Sequence, residues 1–276
     1  GATESARARL TLATGVADFA KCEAVIEAII ERLEPKQKLF AELEGVLAPD
    51  AIIASNTSSL SVAEIAAGCK TKDRICGLHF FNPVPLMRLV EVVVAPGTSQ
   101  EVADRAVALS HKIGKDPVVV KDGPGFLVNL QGRAYTQEGL QVVQEGVTDP
   151  ATLDRIMRDA MNFRMGPFEL MDLTGIDINY PASTYIYEGY QHDPRLKTTT
   201  LHALMFNSGD FGRKTGAGFY SYANGAGAVT ESPAASANPP SFNPRIGETS
   251  ADLDALAADT GWVEGNAVTL IAPVGE

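Results

Sequence analysis

GLHFFNPVPLMRLVEVV, residues 77–93, is the stretch on which the reading of this chain turns. Two short apolar runs flank a segment with two prolines, and Asn82-Pro83 is a turn signal, so the runs read as neighbouring strands. The first run carries His79, one of only four histidines in the chain; the second carries a lone glutamate, Glu91. Read alone, His79 is open to three interpretations: a packed core imidazole, a metal ligand or a general base.

Outward from this stretch, short β-type runs alternate with helical patterns. CEAVIEAI (22–29), AIIAS (51–55), ICGLHFF (75–81), LVEVVVA (89–95) and PVVVK (117–121) are short and apolar, rich in β-branched residues, as buried strands are. Between them lie helical stretches. One has Pro35 near its first turn and an apolar face of Leu39, Phe40, Leu43, Val46 and Leu47. A short one opens with Ser61 and Glu64 at capping-box spacing. A third has Thr98 and Glu101 at the same spacing, with Val102, Ala106, Leu109 and Ile113 as its stripe. Strands alternating with helices predict an α/β layer on a mainly parallel sheet.

After KDGPGF the strand signal fades, and from about Phe126 to Phe206 the pattern is helical. Asp149-Pro150 and the Pro of MGPFELMDL (165–173) mark helix starts. Residues 122–222 read as an all-helical domain, 223–245 as an Ala/Ser/Pro/Gly linker, and 246–276 as the start of an incomplete second module.

Bulk properties narrow the partners. The net charge of −11 disfavours nucleic acid and anionic membrane surfaces, which would repel the molecule. No apolar run approaches the roughly 18 residues of a membrane span. Three cysteines without a C-x-x-C pair suit neither a disulfide framework nor zinc, which points to a reducing cytoplasm.

Ligands of an open parallel sheet bind beyond the carboxyl ends of its strands. There the first strand delivers Glu31, the second Asn56, Thr57 and Ser58, and the third His79 and Asn82. Each has a plainer reading as a turn, cap or core residue. No second ligand stands at metal spacing from His79, so metal binding is not expected. Glu91 resists the plain reading, because a carboxylate inside LVEVVV is costly to bury unless paired. A histidine on the adjacent strand is its natural partner, and the pair favours a base.

SNTSSLSV, GLHFFNPVPLMRLVEVV, KDGPGFLVN, FRMGPFELMDL and GRKTGAGFYSY, in this order and spacing, resemble L-3-hydroxyacyl-CoA dehydrogenases over about residues 16–222. LVNLQGRAY departs from the common V-N-R of that family and is similar to its long bacterial members, which act on 3-hydroxybutyryl- or 3-hydroxyadipyl-CoA. The resemblance implies residues 1–121 as the remainder of a Rossmann-type NAD-binding domain. It implies a helical domain at 122–222 like the C-terminal part of 6-phosphogluconate dehydrogenase, serving substrate binding and homodimerisation. By the same resemblance, His79 and Glu91 are the base and its orienting partner, and Ser58 and Asn129 contact the substrate. Glu31, Lys36, Asn56 and Asn82 fall on the cofactor side. The implied reaction is NAD-dependent oxidation of an (S)-3-hydroxyacyl-CoA thioester in fatty-acid or aromatic-acid β-oxidation.

One departure opens an alternative. The family's strand, G-x-G-x-x-G turn and helix are not found, and GPG (123–125), GAG (216–218) and GAGA (225–228) are expected to lack both the spacing and a preceding strand. The alternative is a truncated or pseudo-enzymatic module that only docks acyl-CoA or a partner subunit.

Overall fold

The computed structural model describes residues 8–222; the linker and second-module expectations for 223–276 lie outside the described residues. The described elements run β1 (Ala24–Glu27), α1 (Leu33–Val46), β2 (Ile52–Ser55), α2 (Val62–Ala66), β3 (Ile75–Phe80), β4 (Leu89–Val94), α3 (Gln100–Lys112) and β5 (Asp116–Lys121). Helices then follow without strands: α4 (Val128–Gln144), α5 (Pro150–Asp159), α6 (Pro167–Thr174), α7 (Ile176–Gly189) and α8 (Thr200–Ser208). The α/β layer followed by a helical region is the expected architecture, and both lie in one compact unit.

The strands form one sheet in the order β1-β2-β3-β4-β5. β1–β2, β2–β3 and β4–β5 are parallel, while β3–β4 is antiparallel because the proline turn simply reverses the chain. Side chains alternate across a sheet, and here the alternation sorts the core. Ile53, Ile75 and Val93 face α1 and α2, against Phe40, Leu43, Val62 and Ile65. Cys76, Leu78, Val90 and Val92 face α3, against Val102 and Ala106. His79 is in phase with Ile75, and Glu91 with Val93, so both point to the α1/α2 side.

Gly77 shows how tight that face is: a Cβ there would stand 2.7 Å from the Val93 side chain and 3.1 Å from that of Val62. Ser61 caps α2 as expected, its hydroxyl accepting from the Glu64 N–H. Asp122, just past β5, adds a second cap by accepting from the Val62 and Ala63 N–H groups.

Two local expectations are corrected. The cap of α3 is Ser99, whose hydroxyl accepts from the Val102 N–H; Thr98 instead donates to the Ile75 carbonyl and accepts from the Ala95 N–H. GPG does follow a strand, since Gly123 stands two residues after β5. Its last glycine takes φ +77°, and a Cβ there would meet Ile186 of α7 at 2.5 Å. This turn is therefore a close-packed entry into the helical region.

Candidate active site

His79 and Glu91 are direct cross-strand partners in the β3–β4 ladder. Their side chains meet at 2.7 Å, His79 Nδ1 to Glu91 Oε2. Glu91 is fully buried, and its remaining oxygen is also satisfied: Oε1 accepts from the Leu127 N–H at 3.0 Å and the Val128 N–H at 2.9 Å. These two donors open α4, so the positive end of a helix faces the carboxylate. A charge held this way orients the imidazole with Nδ1 as the donor. Nε2 then remains as the basic nitrogen, with no protein partner among the described residues. The rings of Phe81 and Phe126 flank the imidazole, with centroids at 4.6 and 5.7 Å.

The turn after β2 is organised by Glu31. Its Oε1 accepts from the Ser58 N–H at 3.0 Å, from the Ser59 N–H at 3.2 Å and from the Thr57 hydroxyl. Burial opposes ionisation of Glu31, but the Thr57 hydrogen bond and the Lys36 charge outweigh it and hold the carboxyl below its ordinary value. Lys36 is itself 1% exposed, with its ammonium 2.6 Å from Glu27 and 3.2 Å from Glu31. Ser55 completes the network through a 2.6 Å bond to the second oxygen of Glu27. Glu27 ends β1 and is buried, but its run CEAVIEAI also holds Glu23, so the sequence does not set it apart as LVEVVV sets apart Glu91.

The expected residues divide into two layers. Glu31, Ser58, His79, Asn82 and Asn129 line one cavity of about 690 Å³, walled on its far side by α7. Glu91 stands behind His79. Lys36 and Asn56 also sit behind the wall: Asn56 Oδ1 accepts from the Phe80 N–H at 2.8 Å and latches β2 to β3 beside the histidine. Asn129, in the first turn of α4, donates to the Ser58 carbonyl at 3.3 Å, tying the helical region to the β2 turn. Asn82 precedes a cis peptide to Pro83.

The expected residues therefore bring to the cavity one imidazole backed by a buried carboxylate, a hydroxyl, two amides and an acid. That set can remove a proton from a bound hydroxyl and hold the oxygen that results. Sequence reading did not single out Arg133, which also lines the cavity. The signal was present: Arg133 lies four residues after Asn129, on the same helix face. Among the described residues no cluster of three or more His, Cys, Asp or Glu could hold a metal, and no helix is long and apolar enough to cross a membrane.

Two family models match in succession: "3-hydroxyacyl-CoA dehydrogenase, NAD binding domain" over residues 1–123 and "3-hydroxyacyl-CoA dehydrogenase, C-terminal domain" over residues 125–222. The chain is 39% identical over 214 residues to 3-hydroxyadipyl-CoA dehydrogenase of Escherichia coli, covering 78% of this chain and 45% of that protein. It is 38% identical over 221 residues to a probable 3-hydroxybutyryl-CoA dehydrogenase of Deinococcus radiodurans, covering 80% and 79%. Among solved structures, (S)-3-hydroxybutyryl-CoA dehydrogenase of Ralstonia eutropha is similar with a TM-score of 0.76 at 37% identity, over 79% of this chain and 77% of that one. The chain spans about half the length of the Escherichia coli relatives, 45% of one and 51% of a solved one.

Proposed function

The chain belongs to the 3-hydroxyacyl-CoA dehydrogenase family, and on that premise we propose that its cavity oxidises an (S)-3-hydroxyacyl-CoA thioester to the 3-oxoacyl-CoA with NAD. The observation that carries the proposal is the His79–Glu91 pair, a base with a buried, fully hydrogen-bonded carboxylate behind it and a cavity in front.

His79 Nε2 takes the proton of the 3-hydroxyl. The positive charge that the ring then gains lies 2.7 Å from the Glu91 carboxylate, which stabilises it. The Ser58 hydroxyl and the Asn129 amide hold the reacting oxygen and the thioester oxygen, so that the hydroxyl meets the base in a fixed geometry. The flanking Phe81 and Phe126 exclude water from the imidazole. When bound, NAD supplies the acceptor for the hydride that leaves the same carbon.

The donor set on the rim fits the nicotinamide end of that cofactor. Asn82 offers an amide on the cavity wall and Glu31 a carboxylate, with Lys36 and Asn56 holding the wall from behind. Among the described residues no G-x-G-x-x-G turn offers a cradle for the pyrophosphate. Residues 1–121 would serve the cofactor and 122–222 the substrate.

The helical region would also carry a homodimer contact. Met161, Phe163 and Leu204 are between 47% and 65% exposed, apolar side chains that a second copy would cover. The free thiols of Cys22, Cys69 and Cys76 fit a cytoplasmic setting.

The test is loss of NADH absorbance on mixing the purified chain with acetoacetyl-CoA. Turnover that depends on both reactants is expected. Binding of the thioester without any turnover would instead support a module that only docks acyl-CoA.

A further inference from the structure

Glu27 is a buried carboxylate that the proton transfer at His79 does not use, and a continuous chain of bonds starts from it. Its Oε1 accepts from the Lys36 ammonium at 2.6 Å and from the Ile29 N–H at 2.5 Å, and its Oε2 accepts from the Ser55 hydroxyl at 2.6 Å. The ammonium reaches on to Glu31 Oε2 at 3.2 Å. Glu31 Oε1 in turn accepts from the Ser58 and Ser59 N–H groups and from the Thr57 and Ser59 hydroxyls. The chain closes on itself, because the Thr57 N–H donates back to Ser55 Oγ at 3.2 Å. The turn after β2 is therefore enclosed in one circuit that runs through β1 and the first turn of α1.

Packing alone does not account for these charges. Two carboxylates share one ammonium, and the side chains of Glu27 and Lys36 are 0% and 1% exposed. Taking such groups out of water is costly, and apolar side chains of similar volume would fill the space at less cost. What apolar side chains could not supply is direction. Glu31 sits on the cavity wall with its side chain 35% exposed, where a carboxylate samples several rotamers unless a second group holds it. Lys36 holds it. The ammonium is itself placed by Glu27, since its contacts to Glu31 at 3.2 Å and to the Ile29 carbonyl at 3.4 Å are longer than the 2.6 Å bond to Glu27.

Ser58 is where the circuit meets the cavity. Its N–H is held by Glu31 at 3.0 Å, and its carbonyl accepts from the Asn129 amide at 3.3 Å. Its hydroxyl takes part in none of these bonds, and Ser58 lines the cavity together with His79. Backbone held on both sides of a residue fixes where its Cβ, and hence its hydroxyl, can stand. We propose that Glu27 is a positioning residue, which through Lys36 and Glu31 sets the place of the Ser58 hydroxyl opposite His79. The inference rests on the dehydrogenase reading, in which that hydroxyl holds the reacting oxygen.

The experiment is a double-mutant cycle on the full chain with Glu27→Gln, Ser58→Ala and the two combined. It is read by kcat for acetoacetyl-CoA-dependent NADH consumption and by hydrogen exchange of the free protein. Glu27→Gln keeps the shape but removes the charge that places the ammonium. In the Ser58 background it should lower kcat on the order of 10- to 100-fold, and in the Ser58→Ala background it should lower it little further. The Ser58 and Ser59 amides should exchange on the order of 10-fold faster in Glu27→Gln, while those of β4 keep their protection. A merely structural carboxylate would cost the same factor in both backgrounds, and that result overturns the proposal. An unchanged kcat overturns it too, as does unchanged exchange at Ser58 and Ser59. Lys36→Met, which breaks the same chain one bond later, should show the same pattern and decides the matter if Glu27→Gln does not fold. Turnover in the wild type with equal factors in the two backgrounds overturns this inference alone. No turnover in the wild type overturns the dehydrogenase reading, and this inference with it.

Discussion

Glu91 carries three bonds on two oxygens, and each does a separate job. The His79 contact sets the tautomer, while the Leu127 and Val128 contacts make the negative charge tolerable at full burial. Replacing Glu91 with Gln keeps the shape but removes the charge that offsets a protonated imidazole. A fall in kcat on the order of 10²- to 10⁴-fold is expected, with KM for the thioester much less affected. Steady-state kinetics of the variant checks this; an unchanged kcat would separate Glu91 from the chemistry. His202 gives a second prediction at this scale. Burial, reinforced by the Arg133 charge, lowers its pKa from 6.5 to about 4. Between those values the unfolded chain binds a proton that the folded chain refuses. The contribution to stability is therefore complete above about pH 6.5 and lost as pH falls toward about 4, by up to about 3 kcal/mol. Urea midpoints at several pH values should show this slope in the wild type and a shallower one in His202→Phe. Identical slopes would contradict it. The role of Glu91 was legible because an acid in an apolar strand demands a partner. That of Lys36 was less so: its position matched a cofactor residue, but sequence does not show depth, and in the fold its ammonium is buried between two carboxylates.

At the scale of elements, the strands were readable from apolar runs and the helix starts from caps. Asp149 accepts from the Thr152 N–H with Pro150 at the first helical position, as the sequence implied. The start of α3 lies one residue beyond the sequence expectation, because Thr98 and Ser99 both qualify as caps by type and only tertiary packing separates them. Thr98 is drawn to the Ile75 carbonyl at the head of β3, leaving Ser99 to cap the helix. Ser99→Ala should then destabilise the protein by about 1 kcal/mol, measured by chemical denaturation. An effect confined to Thr98→Ala would restore the sequence reading. The antiparallel β3–β4 pairing is the element that makes the site. A parallel crossover would have separated His79 from Glu91, whereas the proline turn brings them into register within one ladder.

For the molecule as a whole, the order of α/β layer and helical region was legible from the change in periodicity after residue 121. The cavity was not, because it is closed by α7, whose residues carry no distinctive motif. Asn129 lies in the helical region but is bonded to the Ser58 turn of the sheet layer, so the two regions share one site. Arg133 is legible in part: its spacing from Asn129 puts the two on one helix face, but its burial among neutral oxygens appears only in the fold. The central claim is that His79, held by Glu91, moves the proton in oxidation of a 3-hydroxyacyl-CoA. The most direct measurement is the rate of acetoacetyl-CoA-dependent NADH consumption by His79→Gln beside the wild type, with circular dichroism confirming equal folding. The account predicts a fall on the order of 10²-fold or more with the fold intact. A folded His79→Gln that consumes NADH at the wild-type rate would contradict it.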